Sequence, residues 1–546
     1  MLPPWSTELI AAYESGAHSQ FLLSGNVNDR LLLPLKSGPE LGSLQDFLLK
    51  VLLPRFAVVL SYDLGNGLRV EQGAELFNQW PWAKEQARLP RGPREAIDTV
   101  TQYLRYCLNL ARIGQPHPQV ACFIRSVDLV APANQGQESS AIACQLRDWS
   151  NEGLLPEHRL ATFLIADNRN DVHPLLANNP RALSVTVPLP TAEEVGAALI
   201  ALKVTHPLAL GGFADVKSPG AQLAGATLAS VEALLKTREH RKAPLVDGDL
   251  AELKKVLVEK DCQGLIEFVN ATRTLDDYQA QPALKDALRQ DLALWKAGDT
   301  GALPKGYLLC GPVGTGKTYL VECLAGEAGV PVVKLKNFRD KWVGSTEGNL
   351  EKIFRLVHAL GRCYVFIDEA DQALGKRDGG SNDGGIGGRI YGMMAEEMSS
   401  PANRGKIIWI LATSRPDLVE VDLKRPGRVD VKVPIFPTTT AQEGFDLLRA
   451  IAKRKDLALA KTDFAALESL IPLLLTPGAA EALAVKAYRR HRTANIPPAE
   501  ALRDSLIGYQ PPVARAIMDF QIRLAVDESS DAAFVPDAIR AHVKGV

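Results

Sequence analysis

The chain lacks a cysteine framework. Its seven cysteines, at 107, 122, 144, 262, 310, 323 and 363, form no C-x-x-C pair, and several lie in apolar runs. That scatter fits a reduced compartment and argues against disulfides or a zinc framework. No H-E-x-x-H occurs among the nine histidines, so a built-in metalloprotease is not expected. No uninterrupted apolar run approaches the ~18 residues of a membrane helix. The best stretch, residues 470–485, is broken by Pro472, Pro477 and Glu481. The opening MLPPWSTELI has neither a basic segment nor a long apolar core, so no signal peptide is expected. These absences predict a cytoplasmic protein with no membrane partner. Charge of one sign is also missing, the net being -1. Nothing global draws the chain to nucleic acid, and the basic clusters at 236–242 and 489–492 read as solvated helix faces.

What is present is ordinary globular material, 46% hydrophobic and 23% charged over 546 residues. That length corresponds to about three or four domains. Within it, residues 311–318 read Gly311-Pro312-Val313-Gly314-Thr315-Gly316-Lys317-Thr318. This is G-x-x-x-x-G-K-T, a phosphate-binding loop. The apolar run from Tyr307 to Cys310 predicts a buried strand before it, and residues 319–325 predict a helix after it. Strand, glycine loop and helix are the context in which this motif carries its chemistry. Glycines let backbone N–H groups curl around phosphates, and the helix N-terminus adds positive potential. Lys317 is expected on the β- and γ-phosphates and Thr318 on Mg²⁺, so the cofactors are ATP and Mg²⁺.

Residues 363–367 form a second apolar strand ending in Asp368-Glu369, fifty residues beyond Thr318. A buried strand that delivers two carboxylates at its C-terminal end suits a metal–nucleotide site. Asp368 is expected to orient the metal shell and Glu369 to polarise the attacking water. A third strand, residues 407–413, leads into Ser414-Arg415-Pro416 and then Arg425-Pro426-Gly427-Arg428-Val429-Asp430.

From about residue 271 onward these motifs resemble the AAA family of ATPases, within the wider AAA+ group. The family writes A-T-N-R-P and then R-P-G-R-F-D where this chain has A-T-S-R-P and R-P-G-R-V-D. The resemblance implies that Arg425 and Arg428 are arginine fingers reaching the γ-phosphate of a neighbouring subunit. It therefore implies a ring, most often a hexamer, built by self-association. Ser414 replaces the family's sensor asparagine; it is shorter, which predicts slower turnover. Lys341-Trp342-Val343-Gly344 matches the first pore loop, with Trp342 gripping an extended polypeptide. Residues 378–388 are glycine-rich; by position they resemble the second pore loop, and a plain flexible loop is the alternative. Gly478-Ala479 resembles the turn by which a helical lid touches the nucleotide.

The first half repeats the second without its chemistry. Residues 21–32 align with 307–318, 121–128 with 364–371, and 162–188 with 408–434. Gly25 and Val27 match Gly311 and Val313. Asn28, Arg30, Leu31 and Leu32 stand for Gly314, Gly316, Lys317 and Thr318. Arg125-Ser126 replaces Asp368-Glu369, and Asn179 and Ala182 replace the two arginines. From Gly25 to Arg125 is 100 residues against 57 from Gly311 to Asp368, and the surplus, which includes Trp80 and Trp82, reads as a surface elaboration.

The expected class is therefore α/β: a P-loop NTPase, a parallel sheet flanked by helices with a helical lid, behind a degenerate copy of the same fold. The expected domains are a degenerate AAA-like domain over 1–190, a helical lid and connector over 191–270, an active ATPase domain over 271–440, and a C-terminal helical lid over 441–546. The layout resembles cyanobacterial and plastid-type AAA proteins with a degenerate first half. The expected activity is an ATP-hydrolysing ring that remodels, disassembles or threads a protein. The alternative is a nucleotide-dependent scaffold that assembles without threading.

Overall fold

A computed structural model describes residues 2–545, apart from 37, 87, 134–135, 151–159, 214, 216, 247–249, 251–254, 257, 260–261, 263, 270–271, 279–281, 337–345 and 375–385. The chain divides into two units. The first is Met1–Cys262 with Glu347–Ala359; the second is Gln263–Thr346 with Leu360–Val546.

The first unit contains β1 (Gln20–Gly25), β2 (Arg30–Leu35), β3 (Gly38–Ser43), β4 (Val58–Asp63), β5 (Gly67–Gln72), β6 (Val120–Ile124), β7 (Leu160–Ala166) and β8 (Ala182–Val187). Its main sheet runs β5-β4-β6-β7-β1-β8. All neighbours are parallel except the edge pair β4–β5. Central strands β6 and β7 are buried along their whole length, as their unbroken apolar sequences require of strands covered on both faces.

The second unit contains β9 (Ile266–Phe268), β10 (Gly306–Cys310), β11 (Val332–Leu335), β12 (Cys363–Ile367), β13 (Ile407–Thr413) and β14 (Val431–Pro434). Its sheet runs β9-β11-β12-β13-β10-β14, parallel except at the β9–β11 edge. The two sheets thus share one strand order. The aligned segments fall on matching strands: β1 with β10, β6 with β12, β7 with β13, β8 with β14. Two Rossmann-like halves follow one another in the chain.

The backbones match in detail. Gly25 N donates to Asp167 O, and Gly311 N donates to Thr413 O. A Cβ at Gly25 would meet Val187 O at 2.6 Å, and one at Gly311 would meet Ile435 O at 2.0 Å. Only glycine fits where the loop crosses the neighbouring strand so closely. Ser126 (φ 52) and Glu369 (φ 49) both hold the left-handed conformation two residues beyond the end of β6 or β12.

The surplus residues of the first half are not a surface elaboration. They include β5 and an aromatic cluster in the core. Trp80 is 6% exposed and lies 5.9 Å from Phe77 and 5.5 Å from Tyr103, ring centre to ring centre. The aromatic sequence that looked like decoration is buried because the long helix Pro93–Arg112 presents Tyr103 and Tyr106 to it.

Helices Ala192–Thr205 and Leu228–His240 follow the first sheet. After the second sheet, helices Ala441–Lys453, Pro477–Ala494 and Pro498–Ile507 enclose their own apolar core, a helical lid. The remaining helices, Arg515–Glu528 and Asp537–Gly545, differ from the lid expected over 441–546. Met518, Ile522, Ala525 and Ile539 pack with Cys310 and Phe436, on the α/β domain. A buried ion pair between Lys424 and Glu528 ties them there.

Candidate active site

The ends of β10, β12 and β13 converge on a cavity of 820 Å³ in the second unit. Val313, Gly314, Gly316, Lys317 and Thr318 line it from the loop after β10. Asp368 and Glu369 enter from β12, Ser414 from β13, and Gly478 from the lid. The loop works as a cradle because Gly314 (φ 81) and Gly316 (φ 85) are left-handed, which turns the chain into helix Lys317–Ala328. Thr315 is buried, its hydroxyl donating to Pro312 O at 2.8 Å, which locks the turn.

Lys317 folds back on its own loop. Its ammonium donates to Gly311 O at 2.8 Å and to Pro312 O at 3.0 Å. Burial lowers it to about 8 against the pull of Asp368, Cys310 and Asp371. A half-buried cation held by neutral carbonyls is readily drawn to a phosphate anion. Thr318 Oγ1 donates to Asp368 Oδ2 at 3.1 Å, so the hydroxyl and carboxylate expected to share a divalent ion stand together. That oxygen-only donor set fits Mg²⁺, which prefers few carboxylates and retains water. Glu369 is exposed in the cavity, two residues past the strand, where its carboxylate is accessible to water.

The lid closes one wall. Gly478 N donates to Gly314 O at 3.1 Å, and Thr476 Oγ1 accepts from Ala479 N at 3.3 Å, capping helix Pro477–Ala494. Ala479 faces a neighbouring groove rather than this cavity.

The structure separates the two expected fingers. Neither lines the cavity of its own chain. Arg425 is exposed, its side chain 59% accessible, and pairs with Asp422 at 2.9 Å. Arg428 is 12% accessible and donates to Asp422 Oδ2 at 2.6 Å, Asp422 O at 2.9 Å and Ser399 Oγ at 2.7 Å. Its guanidinium is committed to holding the turn after β13. Lys341, Trp342 and Val343 lie outside the described residues.

Several site residues escape sequence reasoning. Gln521 accepts from Val313 N at 3.2 Å, bracing the loop from a helix two hundred residues away in the chain. Asp371 accepts from Thr413 Oγ1 at 2.6 Å, adding a third carboxylate. Lys334 pairs with Asp368 at 2.8 Å. Tyr319 lies in the cavity with Arg273 and Arg454 over its ring at 4.9 and 5.2 Å. The signal for Lys334 was a charge inside an apolar strand; Gln521 left none.

The first unit's equivalent site keeps a smaller cavity of 180 Å³, lined by Asn28, Asp29, Arg125, Ser126 and Asp167. In place of the loop's helix comes the antiparallel hairpin β2–β3. Asp29, 6% exposed, accepts from Leu228 N at 3.0 Å and Ala229 N at 2.8 Å, at the start of helix Leu228–His240. Burial raises its carboxyl above the usual range, against these hydrogen bonds. Arg30 Nε pairs with Glu232 at 3.1 Å on the same helix.

Comparison with known proteins agrees with this division. Residues 307–436 match the family described as ATPase family associated with various cellular activities (AAA). Residues 1–188 match AAA+ chaperone, N-terminal Rossmann-like domain. Among curated proteins, the chain is 34% identical over 203 residues to an ATP-dependent zinc metalloprotease FtsH of Mycobacterium tuberculosis, covering 36% of this chain and 25% of that protein. It is 34% identical over 165 residues to Protein mac-1 of Caenorhabditis elegans, covering 29% and 20%. It is 29% identical over 232 residues to Peroxisomal ATPase PEX6 of Dictyostelium discoideum, covering 41% and 19%. The matched region spans a quarter or less of each of these relatives. The two matches fall on the two sheets in turn, an AAA domain over residues 307–436 behind an AAA+ chaperone N-terminal Rossmann-like domain over residues 1–188, a layout consistent with the AAA+ group.

Proposed function

We propose that the chain is an Mg²⁺-dependent ATP hydrolase that works as a self-assembled ring, a hexamer, and remodels or threads a protein substrate. The observation that carries the chemistry is one cavity lined by Lys317, Thr318, Asp368 and Glu369 together. Lys317 leaves the carbonyls of Gly311 and Pro312 for the phosphates, aided by loop N–H groups. Thr318 and Asp368 hold Mg²⁺, which when bound neutralises phosphate charge. Glu369 takes the proton of the attacking water, and Ser414 orients that water from β13. Arg425, exposed and lightly paired, suits a finger offered to a neighbouring copy. Arg428 supports it by fixing Asp422, a change of emphasis from two equal fingers. Lys341, Trp342 and Val343 supply the grip on substrate in this reading.

Remodelling draws support from the relatives, a protease and a peroxisomal ATPase among them, and from the chaperone description of residues 1–188. Ser414 favours a second reading, a nucleotide-dependent scaffold with slow hydrolysis and no threading. Trp342→Ala separates the two: in a threading ring, substrate processing fails while hydrolysis continues. For the main reading, Glu369→Gln should bind ATP, hydrolyse it slowly and sediment as a ring. A variant that stays monomeric with saturating ATP removes the ring from the proposal.

A further inference from the structure

Asp368 is not waiting bare for a metal. Its Oδ2 accepts from Thr318 Oγ1 at 3.1 Å and from Lys334 Nζ at 2.8 Å. Its Oδ1 accepts from the Glu369 backbone at 3.1 Å. Lys334 reaches it because of strand register. On β11 it stands opposite Phe366 of β12, and Asp368 follows two residues later toward the same face. The aliphatic stem crosses the Phe366 ring, with the ammonium 5.4 Å from the ring centre. Lys334 and Asp368 are 29% and 25% accessible, so the pair is shielded without being sealed. The ammonium therefore sits on the very oxygen that also meets Thr318, where the divalent ion is expected. Two cations cannot share that oxygen at short range.

We infer that Lys334 is a positioning residue, an internal counter-cation that holds Asp368 in the metal-free site and that Mg²⁺ must displace. This rests on the proposed reading of the cavity as an Mg²⁺–ATP site. The pair has two effects. It keeps a carboxylate charge from repelling ATP that arrives without metal. It also opposes the metal, so Mg²⁺ binds less tightly than Thr318 and Asp368 alone would allow. Lys334 thus sets how much free Mg²⁺ the site needs.

The test uses the full chain and a fluorescent ATP analogue, with binding rather than hydrolysis as the readout. Free Mg²⁺ is titrated from chelated to millimolar levels. Lys334→Met should lower the Mg²⁺ concentration for half-maximal effect by about fivefold, the scale of a partly exposed ion pair. It should weaken metal-free analogue binding by about the same factor. Lys334→Arg should keep both wild-type values, and Lys334→Met should have no effect on the Mg²⁺ curve when added to Asp368→Asn. An unchanged Mg²⁺ curve in a folded Lys334→Met protein overturns the inference, as does an Arg variant that shifts like the Met variant. If the wild-type chain fails to bind the analogue at any Mg²⁺ concentration, the nucleotide reading itself is wrong.

Discussion

The two halves keep one sheet and differ in what satisfies the centre of it. Both present a strand, a glycine forced by close approach, and a helix N-terminus from the following helical segment. In the second unit the loop curls, leads into a helix and leaves Lys317 on neutral carbonyls. In the first unit the Asp29 carboxylate binds the helix N–H groups of Leu228 and Ala229. A helix N-terminus favours an anion, and here the chain supplies it. In the proposed reading the second half receives a phosphate on its loop, whereas in the first the loop's own carboxylate is spent on a distant helix. The difference teaches that the same strand order can be kept while the loop after the first strand of the repeat turns either into a helix or into a hairpin.

The comparison can be broken most directly at Glu369. Glu369→Gln should slow hydrolysis by about 10²–10⁴-fold with ATP still bound, as loss of a general base does. Unchanged turnover would leave the second half no more catalytic than the first. Next is Lys317→Ala, which should weaken ATP binding roughly a hundredfold, the worth of a charge-assisted phosphate contact. Leu31→Lys should restore no binding to the first half, since residue 31 lies on the hairpin strand β2 and not at a helix N-terminus; titration of each variant decides this.

The two arginines sharpen the contrast on the stability side. Arg428→Ala should cost about 2 kcal/mol in denaturant unfolding, because Asp422 and Ser399 lose a charged partner. Arg425→Ala should change stability by less than about 0.5 kcal/mol, as exposed pairs do, while lowering ATPase of the assembled protein. Asp29→Ala should destabilise the first unit by about 1–2 kcal/mol, the cost of removing a helix cap. Hydrogen exchange gives the subtlest check. ATP should protect the amides of residues 476–480, and leave those of 227–231 as they were. Protection at both would mean that the first half also binds nucleotide.

The fold was legible wherever chemistry constrains spacing. Gly311–Thr318, Asp368-Glu369 and the Arg425-Pro426-Gly427-Arg428 run are local patterns, so reading along the chain places them. The repeat was legible because strand burial preserves apolar runs even where the motif residues are absent. The aromatic cluster around Trp80 was misread, since nothing in Gln79-Trp80-Pro81-Trp82 says that a helix beginning at Pro93 will cover it. The last two helices were misassigned to the lid for a similar reason. Helical periodicity shows that a face is apolar and leaves its partner open.

The sequence by itself determined the phosphate-loop motif, the paired carboxylates, the strand scaffold, and the absence of the first two from the first half. Each rests on residue identity at short spacing. Tertiary structure alone decided that Lys334 shares the Asp368 oxygen, that Gln521 braces the loop, that Arg428 is held and Arg425 exposed, and that Asp29 caps a distant helix. These depend on strand register and helix placement, which bring together residues that no local pattern connects.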